Sequence, residues 1–100
     1  MLVIVQPEFP KFFAIDIDKI IEHICWTEGI KNASEIPSSL GYDYLKDDWN
    51  NWLQQVYPWF CVVHKEEQPE IYELLWNKFV EEVEREINFE KSIKDGKEHI

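Results

Sequence analysis

The sequence has little glycine and no motif of the kind that holds a cofactor phosphate. Only three of its 100 residues are glycine. It contains no Walker motif and no strand-associated G-x-G, so it lacks the turns that bring main-chain N–H groups against a phosphate. No pair of carboxylates and no activated nucleophile stands out as catalytic either. We therefore predict that the protein is not an enzyme and requires no cofactor.

Cysteine is also scarce, and two cysteines do not make a disulfide framework. Cys25 and Cys61 both have apolar neighbours, which favours buried, reduced thiols. With His23 and His64 they form the best zinc-ligand candidates in the chain. His23 and Cys25, however, point about 200° apart on a helix and cannot easily share one ion. The prediction is therefore no metal site, with these four residues as weak candidates.

Long apolar runs are absent. No segment approaches the roughly 18 residues that span a bilayer. The apolar start, Met1 to Val5, is far too short for a signal peptide, and no basic stretch precedes it. These features predict a cytoplasmic protein that does not bind membranes.

Basic residues are outnumbered: 20 acids face 10 bases, for a net charge of −10. Such a chain repels nucleic-acid backbones and anionic membrane surfaces, and a basic protein surface attracts it. We predict no direct binding of nucleic acid. A second interpretation, that the acidity serves only solubility, stays open.

What the chain has in quantity is apolar and aromatic side chains, at 45% and 15% of its residues. A chain of this length builds one core without disulfides, which predicts a single domain over residues 1–100. Apolar periodicity and capping residues predict three helices, over residues 16–28, over 43–56 with Asp43 as N-cap, and from Pro69 to residue 89 or 94. Residues 31–41 read as a loop, and those from about 95 onward are expected to fray.

Strand signals are weaker. Leu2 to Val5 suits a strand that Pro7 and Pro10 would stop. Residues 12–15 fit either a second strand or the lead-in to the first helix. Residues 59–63 fit a buried strand or a helix extension, which periodicity cannot separate. The predicted fold class is mainly α, a three-helix domain, with an α+β alternative in which the N-terminal segment and residues 59–63 form a small β-element.

Two groups of residues are candidates for binding a protein partner. The first places acids beside a tyrosine, the composition of a protein interface: Asp43, Tyr44, Asp47 and Asp48. The second is one face of the third helix, where spaced carboxylates can imitate a run of phosphates: Glu70, Glu73, Glu81 and Glu84. An ordinary solvated helix face is the competing interpretation, and a Glu81–Arg85 pair at i,i+4 supports it.

Size and charge together favour a small acidic binder that blocks or sequesters a protein with a basic surface. Antitoxins, immunity proteins and phage-encoded inhibitors of host defence have this size and charge, and some such proteins mimic nucleic acid. The alternative is an adaptor or accessory subunit of a larger complex, and a homodimer is left open. A zinc-binding or catalytic protein ranks behind both.

Overall fold

The computed structural model describes residues 2–8, 11–58 and 69–98. The chain begins with an antiparallel pair of strands, β1 (Leu2–Glu8) and β2 (Lys11–Asp16). The N-terminal strand is confirmed, and residues 12–15 are a second strand. β1 also runs through Pro7, where the sequence predicted a stop. In a two-stranded sheet each strand has an outer edge, and edge strands tolerate a residue that lacks an N–H.

The first predicted helix is confirmed as α1 (Ile17–Glu28). Asp16 caps it, because its carboxylate accepts a hydrogen bond of 3.0 Å from the backbone N–H of Asp18. Gly29 ends it with a φ of 68°, the left-handed conformation that glycine adopts without steric cost. The buried stripe of α1 consists of isoleucines, at positions 17, 20, 21 and 24.

The segment predicted as a loop, residues 31–41, is more regular than its composition indicates. Ala33–Glu35 form a 3-10 turn, and α2 (Ile36–Ser39) follows as a single helical turn. Pro37 lies in the first turn of α2, where its missing N–H costs no helical hydrogen bond. Ile36 is fully buried, so packing on the core holds this turn in place.

The second predicted helix is divided into α3 (Tyr42–Asp47) and α4 (Trp49–Val56). Gly41, with a φ of 84°, occupies the N-cap position, so the prediction that Asp43 is the N-cap was wrong. The division falls at Asp48, whose carboxylate accepts a hydrogen bond from the Asn51 side chain. Such local polar bonds compete with continuous helix.

The third predicted helix is α5 (Pro69–Glu98), which starts at the predicted proline. It continues past the predicted end and includes Gly96. Its 30 residues correspond to about 45 Å of helix, most of the longest dimension of the molecule, 53 Å. Fraying of its last residues stays a prediction.

The centre of the core is aromatic. The ring of Trp49 from α4 lies 5.2 Å from that of Trp76 and 5.0 Å from that of Phe79, both on α5. The Trp49–Trp76 pair is nearly perpendicular, a favourable arrangement for aromatic rings. Trp52, Leu53, Trp76 and Phe79 are all buried, as the apolar periodicity of the second and third predicted helices indicates.

The structure is thus mainly α with a small β-element from the N-terminal segment, as predicted. The proposed strand at residues 59–63 lies outside the described residues. Within the described ranges, no helix is long and apolar enough to cross a membrane.

Candidate protein-binding surface

Two polar contacts connect helix α3 to α5. The Tyr42 hydroxyl donates a hydrogen bond of 2.7 Å to Glu84 Oε1. Lys46 Nζ lies 3.7 Å from Glu73 Oε2 and 6.0 Å from the centre of the Trp76 ring. Tyr42 also meets that ring edge-on, at 6.1 Å. The two groups of acids that the sequence separates by more than twenty positions therefore lie on segments of the fold that contact each other.

We use the name acidic surface for the seven exposed carboxylates of these two groups, Asp43, Asp47, Asp48, Glu70, Glu73, Glu81 and Glu84. At 100° per residue, its α5 members fall within about 80° of the helix circumference and extend over about 21 Å. Tyr44, on α3 among these acids, is 53% exposed. All eight residues predicted to bind a partner are thus accessible.

The carboxylates on α5 are partly compensated. Glu73 pairs with Lys46, and Glu81 lies 3.4 Å from Lys78 and 3.5 Å from Arg85. The predicted Glu81–Arg85 pair is thereby confirmed. Arg85 makes a shorter contact, 2.7 Å, with the nearly buried Glu82, which the sequence did not single out. Glu81 is accordingly the most neutralised member of the surface.

The acids of α3 and of the first turn of α5 are not compensated by a cation within the described residues. In the part of the chain that the structure describes, Asp43, Asp47 and Glu70 have no ion-pair partner. Asp43 and Asp47 are four residues apart on one helix face, and like charges at that spacing repel each other by a few tenths of a kcal/mol. A basic group placed between them would relieve the repulsion.

Acids of the surface contribute to the pKa shifts of two tyrosines, Tyr42 and Tyr72. The pKa of Tyr42 is raised above its ordinary value, first by burial and then by its hydrogen bond to Glu84. The pKa of Tyr72 is raised chiefly by burial, although a hydrogen bond from the Asn50 backbone opposes this, and the negative charges of Glu73 and Asp48 add to it. The two tyrosines thus respond to different acids, Tyr42 to Glu84 and Tyr72 to Glu73 and Asp48.

The metal candidates are not brought together where the structure describes them. His23 Nε2 is 2.6 Å from Gln55 Oε1, and its ring lies against the edge of Trp52. Cys25 is half-buried, less than predicted, and burial followed by the nearby Glu35 raises the pKa of its thiol. Cys61 and His64 lie outside the described residues. Among the residues that are described, no three His, Cys, Asp or Glu side chains cluster as metal ligands do.

Sequence reasoning did not single out Trp26 as a surface residue. It lies on α1 away from the isoleucine stripe and is 80% exposed. An indole that helical periodicity places outside the apolar stripe was the signal that could have identified it.

Comparison of the chain with protein-family models, curated protein sequences and solved structures gives no match.

Proposed function

We propose that this protein is a small acidic binding module that blocks or sequesters a protein partner through the acidic surface. The observation that carries the proposal is the contact between α3, which carries two uncompensated carboxylates and the exposed Tyr44, and the acidic helix α5. Exposed charges steer the encounter with a basic partner, and aromatic side chains supply contacts that slow dissociation. Tyr44 is the aromatic residue that we expect to slow dissociation.

The partner class that fits this surface is a protein with a basic face, including one that binds nucleic acid. Carboxylates spread over about 21 Å of a rigid helix can occupy a groove that otherwise holds phosphates. The proposed type is an inhibitor of the antitoxin, immunity or anti-defence kind. For a partner of this kind, duplex DNA should compete with the protein for the same site.

The test compares two double variants with identical net charge. Asp43→Lys with Asp47→Lys changes the acidic surface, whereas Glu28→Lys with Glu86→Lys changes exposed acids elsewhere. Each substitution adds two charge units, so each pair moves the net charge from −10 to −6 (−10 + 4). The partner is first captured from the native host with wild-type protein. Association rates are then measured against salt concentration.

The expected result is slower association for the Asp43/Asp47 pair and a near wild-type rate for the control pair. The wild-type rate should fall between low and physiological salt, because exposed charges are screened beyond about 8–10 Å. Equal slowing of both pairs would mean that net charge alone matters. If the association rates change neither with salt nor with the substitutions, the acidity serves only solubility.

A second candidate function is that of an adaptor or accessory subunit. It is favoured by Phe89 and Ile93, which are one helical turn apart on α5 and are 60% and 43% exposed. Exposed apolar pairs on a helix are typical of helix–helix association. Light scattering of wild type and of Phe89→Ser would show a loss of self-association if this pair joins two copies.

A further inference from the structure

A groove formed by α1 and α4 is built around the exposed indole of Trp26. It has a volume of about 500 Å³ and is lined by Lys19, Glu22, His23, Trp26 and Val56. Trp26 is 80% exposed, and tryptophan is usually well buried unless it serves an interface. None of these residues belongs to the acidic surface, so the groove is an independent feature.

The groove is held in shape by contacts within the fold. The His23 side chain is tied to Gln55 on α4 by a hydrogen bond of 2.6 Å. The same ring meets Trp52, a core residue, edge-on at 6.0 Å. Trp26 in turn lies 6.3 Å from His23. A ligand entering the groove therefore meets a wall that is already ordered, which lowers the entropic cost of binding.

The groove contains one acid, Glu22, and one base, Lys19, and the position of the acid favours a cation next to Trp26. Glu22 lies one helical turn before Trp26, at i,i+4, and has no ion-pair partner within the described part of the chain. Along the helix axis Glu22 is about 6 Å from Trp26, whereas Lys19 is about 10 Å away. The carboxylate of Glu22 is therefore better placed than the Lys19 ammonium to interact with a ligand stacked on the indole.

We propose that this groove binds an arginine side chain presented by a partner protein. A guanidinium stacks on the Trp26 indole while donating hydrogen bonds to the Glu22 carboxylate, and Val56 contacts its methylene stem. Arginine fits better than lysine, because a planar guanidinium stacks and donates in a fork, whereas an ammonium is a compact and strongly hydrated charge. The net charge of −10 further favours a cationic ligand over an anionic one.

The experiment titrates the isotope-labelled protein with three short peptides, acetyl-Gly-Arg-Gly-amide and the same peptide with central Lys or Glu. The Trp26 indole N–H signal and the Glu22 and Val56 backbone signals are followed by NMR. The arginine peptide should shift all three, the lysine peptide should bind more weakly, and the glutamate peptide should leave them in place. Glu22→Gln and Trp26→Ala should each weaken arginine binding about two- to fivefold, as expected for contacts at an exposed site.

Glu28→Gln is the matched control, because it removes the same charge from the same helix at an exposed position outside the groove. It should bind the arginine peptide as wild type does. Equal weakening by Glu22→Gln and Glu28→Gln, equal binding of the glutamate peptide, or shifts confined to the acidic surface would each overturn the proposal. The Asp43/Asp47 variant should bind the arginine peptide as wild type does. A failure of the groove proposal can therefore be distinguished from a failure of the proposal for the acidic surface.

Discussion

The Tyr42 hydroxyl donates a hydrogen bond of 2.7 Å to the Glu84 carboxylate, joining the first residue of α3 to the middle of α5. Together with the Lys46–Glu73 ion pair, it connects α3 to the acidic face of the long helix. The geometry of the candidate binding surface therefore depends on a polar contact between residues 42 positions apart.

The Tyr42–Glu84 contact predicts that stability falls in alkaline solution. The pKa of Tyr42 is raised in the folded state, by burial first and by Glu84 second. Above pH about 10 the unfolded chain loses the tyrosine proton while the folded chain keeps it, so the free energy of unfolding decreases as pH rises. Urea unfolding at several alkaline pH values measures this decrease.

The matched variants for this pH dependence are Tyr42→Phe and Tyr44→Phe. Tyr42→Phe should show a shallower alkaline decrease than wild type, since the shifted proton is gone. Tyr44→Phe removes an exposed hydroxyl and should follow the wild-type curve. Identical curves for Tyr42→Phe and wild type would show that the hydrogen bond is not maintained in solution.

Truncation of Phe79 should be strongly destabilising. Phe79 is fully buried against Trp49 and Trp76, so Phe79→Ala leaves a cavity and should cost about 3–5 kcal/mol of unfolding free energy. Leu74→Ala on the same helix truncates a side chain that is 42% exposed and should cost less than about 1 kcal/mol. Denaturant titration compares the two, and similar costs would mean that α5 turns a different face to the core.

Cys25 should react slowly in the native protein. Burial, and secondarily Glu35, raise the pKa of its thiol, and the thiolate is the reactive form. In a Cys61→Ser background, reaction with an aromatic disulfide reagent near neutral pH should be slower than after unfolding in urea. Glu35→Gln should raise the native rate modestly. If the native and unfolded proteins react at the same rate, the Cys25 thiol is exposed to solvent in the native protein.

Gly29 should tolerate asparagine better than alanine. Its φ of 68° lies in the left-handed region, where a Cβ costs roughly 1–2 kcal/mol and where asparagine is the least penalised alternative. Nothing crowds the position of an added Cβ, so any loss is due to the backbone rather than to a clash. Thermal unfolding should rank wild type above Gly29→Asn and Gly29→Ala lowest. Equal stability for the two variants would contradict this backbone conformation.

The site was partly predictable. Composition and helical spacing identified the acids and placed the α5 members on one face, because rise and turn per residue are properties of any helix. They did not show that Lys46 compensates Glu73 while Asp43 and Asp47 stay uncompensated. Partners distant in sequence meet only when helices pack, and local spacing carries no information on that contact.

The sequence by itself determined the helical class, the bounds of α1, the start of α5 and the burial of Phe79. Each follows from a local cause: a capping aspartate, a terminal glycine, a proline in the first turn or an apolar stripe. The tertiary structure decided the helical turn at Ile36 and the contact between α3 and α5. Those features depend on burial against residues far along the chain, where packing energy exceeds the small differences in local propensity.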